Sequence, residues 1–285
     1  MDWIVPVSRT EAAGGLLAPE TVDRACRALR AEGVALMRGV FPEHVIDGLH
    51  QEYLAQYGAL DAGEMAERAS APPPTRFLRV GSKRYEITPR MDGAFADSVV
   101  FANPLLRTVV SRLLGKDIRL GVFTVVVSFP GASIQHFHRD HPHLFPEGNL
   151  GTVLPAYAIN VALPLIDVDL ATGPTGLWPG SHLWTESREP VPESMTSVSL
   201  RRGDCLLLDY RTFHAGLPNR SSQVRPVIYM AYSRGWFFDE VNHKNRLSLD
   251  MSLETFLGFS EPVRDLLLRA YSQAMRSKQA TETET

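Results

Sequence analysis

The sequence predicts a mainly β fold, a jelly-roll or sandwich core with helices at its flanks. Short β-branched or aromatic runs dominate from Ile118 onward: Ile118–Phe129, Leu154–Ile166, Ser197–Leu200, Cys205–Tyr210 and Val224–Ser233, divided by Gly, Pro, Asn or Asp. Helical periodicity is confined to the two ends of the chain. The runs do not alternate with helices as parallel βαβ units would require.

In the N-terminal flank, Pro19–Glu32 places Val22, Ala25, Cys26 and Leu29 on one helical face, with Pro19 suited to the first turn and Gly33 to the position after the last. Gly33–Arg38 reads as a short apolar strand. Pro42 and Glu43 then open a second helix, whose Val45, Ile46, Leu49 and Tyr53 recur at helical spacing. Asp61–Thr75, rich in Ala, Pro and polar residues, reads as an exposed connection or lid. Leu253–Met275 returns to helical periodicity, and the last residues read as a frayed tail. With no internal repeat, 1–285 is expected to be a single domain: a helical N-terminal region over residues 1–115, a β core over 116–235, a helical extension over 236–275 and a tail over 276–285.

The 285 residues are 44% hydrophobic and 21% charged, with formal net charge −3, values that fit an ordinary globular protein and offer no basic footprint for nucleic acid. Cys26 and Cys205 lie far apart in helix-like and strand-like stretches and read as buried small hydrophobes rather than a disulfide or a zinc ribbon. There is no signal-peptide pattern and no apolar run of the roughly 18 residues a membrane span needs. The expectation is a cytoplasmic protein with a small-molecule substrate and no nucleic-acid or membrane partner.

Chemistry concentrates in one place. Four of the nine histidines fall within His136–His143. His138 and Asp140 are two residues apart, so on extended chain they point to the same face and can meet one ion. His214, at the end of the run from Cys205 and followed by turn residues, is the candidate third ligand. Two histidines and one carboxylate form the facial triad of non-haem iron(II) oxygenases, which leaves open positions on the metal. Such a site commonly takes a 2-oxo acid, and Arg225, at the start of the strand returning after His214, supplies a fork for its far carboxylate. His138-Arg139-Asp140 also reads like a kinase catalytic loop, but Phe145 stands where that motif needs Asn, and no phosphate loop or D-F-G is present. Metalloprotease, P-loop, serine-hydrolase and thiol-redox motifs are absent as well.

Three motifs in order resemble those of the phytanoyl-CoA dioxygenase family of iron(II)/2-oxoglutarate-dependent oxygenases. They are Pro130-Gly131 with Gln135-His136-Phe137-His138-Arg139-Asp140, then Gly173-Pro174-Thr175 through Pro179-Gly180-Ser181-His182, and then His214-Ala215-Gly216 with Asn219, Ser221 and Arg225. Thr172 departs from the Asn the family often has before Gly-Pro. The resemblance implies a double-stranded β-helix, the jelly-roll or cupin-like core, with Fe(II) on His138, Asp140 and His214. It implies 2-oxoglutarate on Arg225, with Gln135 and Thr175 hydrogen-bonding it, and O2 as the second co-substrate. The implied reaction is hydroxylation of a small, hydrophobic metabolite or natural-product intermediate, with release of succinate and CO2. Related halogenases carry Ala or Gly in place of the carboxylate, so Asp140 argues against chlorination.

Alternatives stay open on the sequence alone. The substrate can equally be an acyl-CoA; the same ligands suit a zinc hydrolase, in which Arg225 has no task; and a silent jelly-roll module would consume no 2-oxoglutarate. His44, His50 and His243 read as structural, and His182 as a loop-stabilising hydrogen bonder. His136, His141 and His143 read as pocket or solvated residues, and Cys205, Phe213 and Tyr229 as core. Phe123, Phe145, Tyr157, Trp178 and Trp236–Phe238 are candidates for a hydrophobic substrate wall or for core. Lys83 and Arg84 are candidates for an anion contact or solvated surface. The 61–75 connection and the C-terminal helix are candidates for a lid or a homodimer contact.

Overall fold

The computed structural model describes residues 1–145, 147–243 and 246–283; within these, 147–149, 243 and 278–283 are described by backbone alone. Eleven strands are formed among the described residues: β1 Ile4–Pro6, β2 Val34–Arg38, β3 Phe77–Gly81, β4 Arg84–Ile87, β5 Ile118–Ser128, β6 Ala158–Pro164, β7 Thr175–Leu177, β8 Thr196–Ser197, β9 Cys205–Asp209, β10 His214–Gly216 and β11 Arg225–Arg234. Eight of them make one sheet in the order β1-β2-β9-β6-β11-β5-β4-β3, and β10-β7-β8 make a second. Apart from parallel β1–β2, every pairing is antiparallel. Two facing sheets of unequal size, sharing a chain that crosses between them, are the double-stranded β-helix the motifs imply.

Alternation along β11 separates the two faces of the large sheet. Ile228, Met230 and Tyr232 are buried in the main apolar core, with the Tyr232 hydroxyl donating to Phe101 O at 2.7 Å. Tyr229 and Ala231 point the other way and line a cavity. The core side is covered by helices: Pro104–Leu114 buries Leu105, Leu106, Val109, Val110, Leu113 and Leu114, and the C-terminal helix Glu261–Thr283 packs against β5. Each such fully buried aliphatic side chain contributes about 1.5–3 kcal/mol, which is what holds the sheet to its helical cover.

The helix Pro19–Glu32 forms as the periodicity predicts and buries Ala25, Cys26, Ala28 and Leu29. Gly33 ends it in the left-handed region, φ 68°, and its N–H bonds Leu29 O at 3.0 Å. Any Cβ at Gly33 would strike the His182 ring and the Thr212 hydroxyl, so this position needs glycine for conformation and for space. Both cysteines are buried and free, and burial pushes both thiols up, as expected of packed small hydrophobes.

Several local expectations need correction. The N-terminal region is less helical than expected: besides the expected strand β2, it holds β1, β3 and β4, and these strands supply both edges of the large sheet. The 61–75 connection contains the helix Ala62–Arg68, capped by Asp61 and Glu64 in a reciprocal box and seated by buried Met65. Asp-x-x-Glu at its start was the signal; the prolines at 72–74 obscured it. The run at Ser197–Leu200 reduces to β8 and one bridge from Leu200 to Val168. The C-terminal periodicity is two helices, Leu253–Gly258 and Glu261–Thr283, and the second runs past the point where fraying is predicted, while residues 284–285 lie outside the described set. No helix among the described residues is long and apolar enough to cross a membrane.

Candidate metal centre

After β5 the chain turns at Pro130 and Gly131 and returns extended along β10. Gln135 N bonds Gly216 O at 3.0 Å, His138 and His214 exchange N–H···O bonds at 3.0 and 2.9 Å, and Asp140 N bonds Tyr210 O at 3.0 Å. His138 and His214 are therefore directly opposed residues of an antiparallel bridge, with ring centroids 4.4 Å apart. Asp140, two residues on, falls on the same side, and its Oδ1 is 3.6 Å from His214 Nε2. Ligand atoms of His138, Asp140 and His214 all lie within 4.8 Å of one another, a spacing that can hold a metal ion.

The hydrogen bonds behind these groups suit them to the task. His138 Nδ1 lies 2.8 Å from His136 O, and His214 Nδ1 lies 3.0 Å from Thr212 O. A carbonyl only accepts, so each Nδ1 carries the proton and each Nε2 presents a lone pair. Burial, and then the neighbouring His214, lowers the His138 pKa to about 4, which keeps that ring neutral near pH 7. Asp140 is held from two sides: Asn160 Nδ2 donates to its Oδ2 at 3.2 Å and Asn242 Nδ2 to its backbone O at 2.7 Å.

The cluster opens on a cavity of about 540 Å³. Gln135, Thr175, His138, Asp140 and His214 all line it; Arg225 does not, being 2% exposed behind the wall. Arg225 and Arg84 are both buried, and each takes the register position opposite Ser128, one from β11 and the other from β4. Neither is paired with a carboxylate among the described residues, and each leaves Nε without a partner. Burial, above all, lowers the proton affinity of both; Arg84, with Arg225 nearby, drops to about 10. Arg84 donates to Leu217 O at 2.8 Å and, more loosely, to Ser133 O and Gln135 Oε1 at 3.3 and 3.4 Å. Gln135 is itself anchored, accepting from Gly216 N and donating to Val80 O, both at 2.9 Å. A buried cation without an anion beside it is costly to hold in a fold.

Other residues singled out in the sequence go elsewhere. His136 lines the cavity, whereas His141 packs on Tyr157 and Phe237, and His143 sits 3.5 Å from Glu186. His182 is buried with Nε2 3.1 Å from Arg30 O, the loop role expected of it. His44 is exposed, His50 stacks on Tyr53, and the side chain of His243 lies outside the described set. Lys83 is exposed, but Arg84 beside it is buried opposite Ser128. None of the candidate wall aromatics lines the cavity: Phe123, Tyr157, Trp178 and Phe237 are core, and Phe145, Trp236 and Phe238 are exposed. Tyr229, expected in the core, is half-buried and forms cavity wall because its strand face is set by register with β5 and β6. Asn160 and Asn242 escaped the sequence reading. For Asn160 the signal was present, a lone amide inside the apolar run Ala158–Pro164.

A jelly-roll whose smaller sheet opposes two histidines, with a carboxylate beside them and a cavity in front, defines the class of cupin-like non-haem metal oxygenases. The profile described as Phytanoyl-CoA dioxygenase (PhyH) matches residues 29–227, and the chain belongs to that family. Membership brings iron(II) and 2-oxoglutarate as metal and co-substrate, with O2, and the donor set found here suits that metal. The chain is 26% identical over 242 residues to dioxygenase aneA of Aspergillus aculeatus, covering 80% of this chain and 78% of aneA. With dioxygenase trt7 of Aspergillus terreus it shares 27% identity over 138 residues, 47% of this chain and 48% of trt7. In fold it is similar to SnoN, described as the non-heme alpha ketoglutarate dependent epimerase from nogalamycin biosynthesis (TM-score 0.51, 20% identity, 76% of this chain and 82% of SnoN). It is similar too to EvdMO1 (TM-score 0.56, 21% identity, 75% of this chain and 50% of that one).

Proposed function

We propose that this chain is an iron(II)/2-oxoglutarate-dependent oxygenase that hydroxylates a C–H bond of a small natural-product intermediate, with release of succinate and CO2. His138, Asp140 and His214 are the metal ligands, and Arg225 takes the 5-carboxylate of 2-oxoglutarate. The observation that carries the reading is the pairing of a three-donor cluster with a buried, carboxylate-free guanidinium nearby. A zinc hydrolase has no use for that cation.

Bound iron(II) supplies the activation of O2, one oxygen atom going to the C–H bond and the other to the succinate formed from 2-oxoglutarate. The protein does the rest by placement. The two Nδ1–H···O=C bonds hold both imidazoles with Nε2 toward one point. Arg225, with Arg84 beside it, meets the carboxylate in a buried corner where charge-assisted hydrogen bonds are strong. Gln135 and Thr175, on the wall between that corner and the histidines, hydrogen-bond the co-substrate. Val122, Val126 and Ala231 give part of the cavity an apolar surface, while Arg79, Glu86 and Arg246 make the rest polar. That mixture favours a functionalised intermediate over a bare hydrocarbon. The relatives aneA and trt7, both named dioxygenases, support the oxygenase role.

The test is anaerobic titration with iron(II) and then 2-oxoglutarate, followed in the visible range. The chelated 2-oxo acid gives a weak charge-transfer band that is lost in His214→Ala. Absence of the band, together with tight zinc binding, overturns the reading. Product mass then separates hydroxylation, one oxygen gained, from epimerisation, no change.

A further inference from the structure

Asn160 sits on β6 with Ala231 of β11 on one side and Leu208 of β9 on the other, and its side chain lines the cavity. Its amide nitrogen donates to Asp140 Oδ2 at 3.2 Å. A carboxylate oxygen only accepts, so the nitrogen must face Asp140 and Oδ1 must face away. That Oδ1 is buried and has no hydrogen-bond partner among the described residues. Neither Ala231 nor Leu208 has a side-chain donor to offer. A buried amide oxygen left unmatched is costly, and such groups are commonly completed by what binds.

We propose that Asn160 is both a positioning residue for the metal and a specificity residue for the substrate. Its Nδ2–H occupies Oδ2 of Asp140, leaving Oδ1, the oxygen facing His214, as the single carboxylate ligand. Its own Oδ1 accepts a hydrogen bond from the substrate, which therefore belongs to the class that carries a hydroxyl or N–H close to the oxidised carbon. This inference rests on the oxygenase reading above.

The experiment uses the full chain with Asn160→Leu, which keeps the branched side-chain shape without its polar atoms, and Asn160→Ala, which removes the amide without adding bulk. Iron(II) alone is titrated anaerobically into each. The expected result is binding about 10- to 100-fold weaker than in the wild type, the usual effect of losing a hydrogen bond behind a ligand, with the melting temperature of the metal-free protein little changed. Cyclohexanol and methoxycyclohexane, of which only the first has a donor, are then titrated against the iron(II)–2-oxoglutarate complex while its visible band is followed. In the wild type the alcohol is expected to bind about five- to tenfold tighter than the ether, a preference both variants lose. Wild-type iron affinity in both variants overturns the positioning role. No preference in the wild type, or an unchanged preference in the variants, overturns the substrate role. Failure of the wild type to give the band at all overturns the oxygenase reading itself and is recognisable as such.

Discussion

Arg84 and Arg225 stand on either side of Ser128, the first opposite it across β4–β5 and the second across β11–β5. Two buried guanidiniums thus share one row of the sheet with no carboxylate paired to either among the described residues. A carboxylate placed between them would offset their mutual repulsion and lost hydration. Arg225→Ala is therefore expected to raise the 2-oxoglutarate concentration needed for half-saturation by about 10- to 100-fold, the loss of one charge-assisted pair, with iron(II) affinity unchanged. Anaerobic titration of each component checks this; normal 2-oxoglutarate affinity would show that Arg225 has been given the wrong task. In the wild type 2-oxoglutarate should raise the melting temperature, and in the variant it should not.

Gly216 is the close-approach point of the same corner. A Cβ there would land on the Arg84 guanidinium and the Gln135 amide oxygen. Gly216→Ala should displace both side chains and weaken 2-oxoglutarate binding at least about tenfold, while the His138–His214 bridge and metal binding persist, because the clash falls on Arg84 and Gln135 and on neither imidazole. Comparing iron(II) and 2-oxoglutarate affinities separates this outcome from general misfolding, which would lower both.

Asp140→Ala removes the one carboxylate of the cluster and leaves Asn160 Nδ2 without its acceptor. Metal content after dialysis against micromolar iron(II) is expected to fall by at least about tenfold, with the fold retained by circular dichroism. Retention of stoichiometric iron would place the metal elsewhere.

In the N-terminal flank, Glu11 accepts from Ser8 N, Ser8 Oγ and Ala18 N at 2.7–2.8 Å. Hydrogen bonds from Thr21, Ala18 and Ser8 lower its pKa to about 2. A carboxylate whose folded-state pKa is depressed stabilises the fold above its ordinary value, near 4.5, and that contribution is lost as pH falls towards 2. Glu11→Gln should lower the melting temperature by about 2–4 °C at pH 7, the scale of one helix cap, with the difference from the wild type narrowing below pH 4.5. A gap that stays constant from pH 7 to pH 3 would mean that the carboxylate charge contributes nothing.

Much of the architecture was legible because it is local. Helix Pro19–Glu32 forms over the residues its apolar spacing and terminal glycine specify, and β5, β9 and β11 begin and end within a residue or two of the runs that announce them. The short strands were harder. Phe77–Gly81 and Arg84–Ile87 have little pattern of their own and become strands because β5 offers an edge to β4, and β4 in turn to β3. Thr196–Ser197 likewise exists through its pairing with β7.

By itself the sequence determined the chemical inventory: His138 and Asp140 on one face of an extended segment, a histidine and an arginine on either side of a turn, and the periodicities that fold local elements. Only the tertiary structure decided which distant residues meet. The bridge that sets His138 against His214, the shared Ser128 row that brings Arg84 to Arg225, and the contact of Asn160 with Asp140 all depend on strand register across the two sheets. Register is set by cooperative burial of the apolar faces and not by any single residue's preference. It is also why the candidate wall aromatics fell into the core or onto the surface, while Tyr229 and Asn160 turned to the cavity.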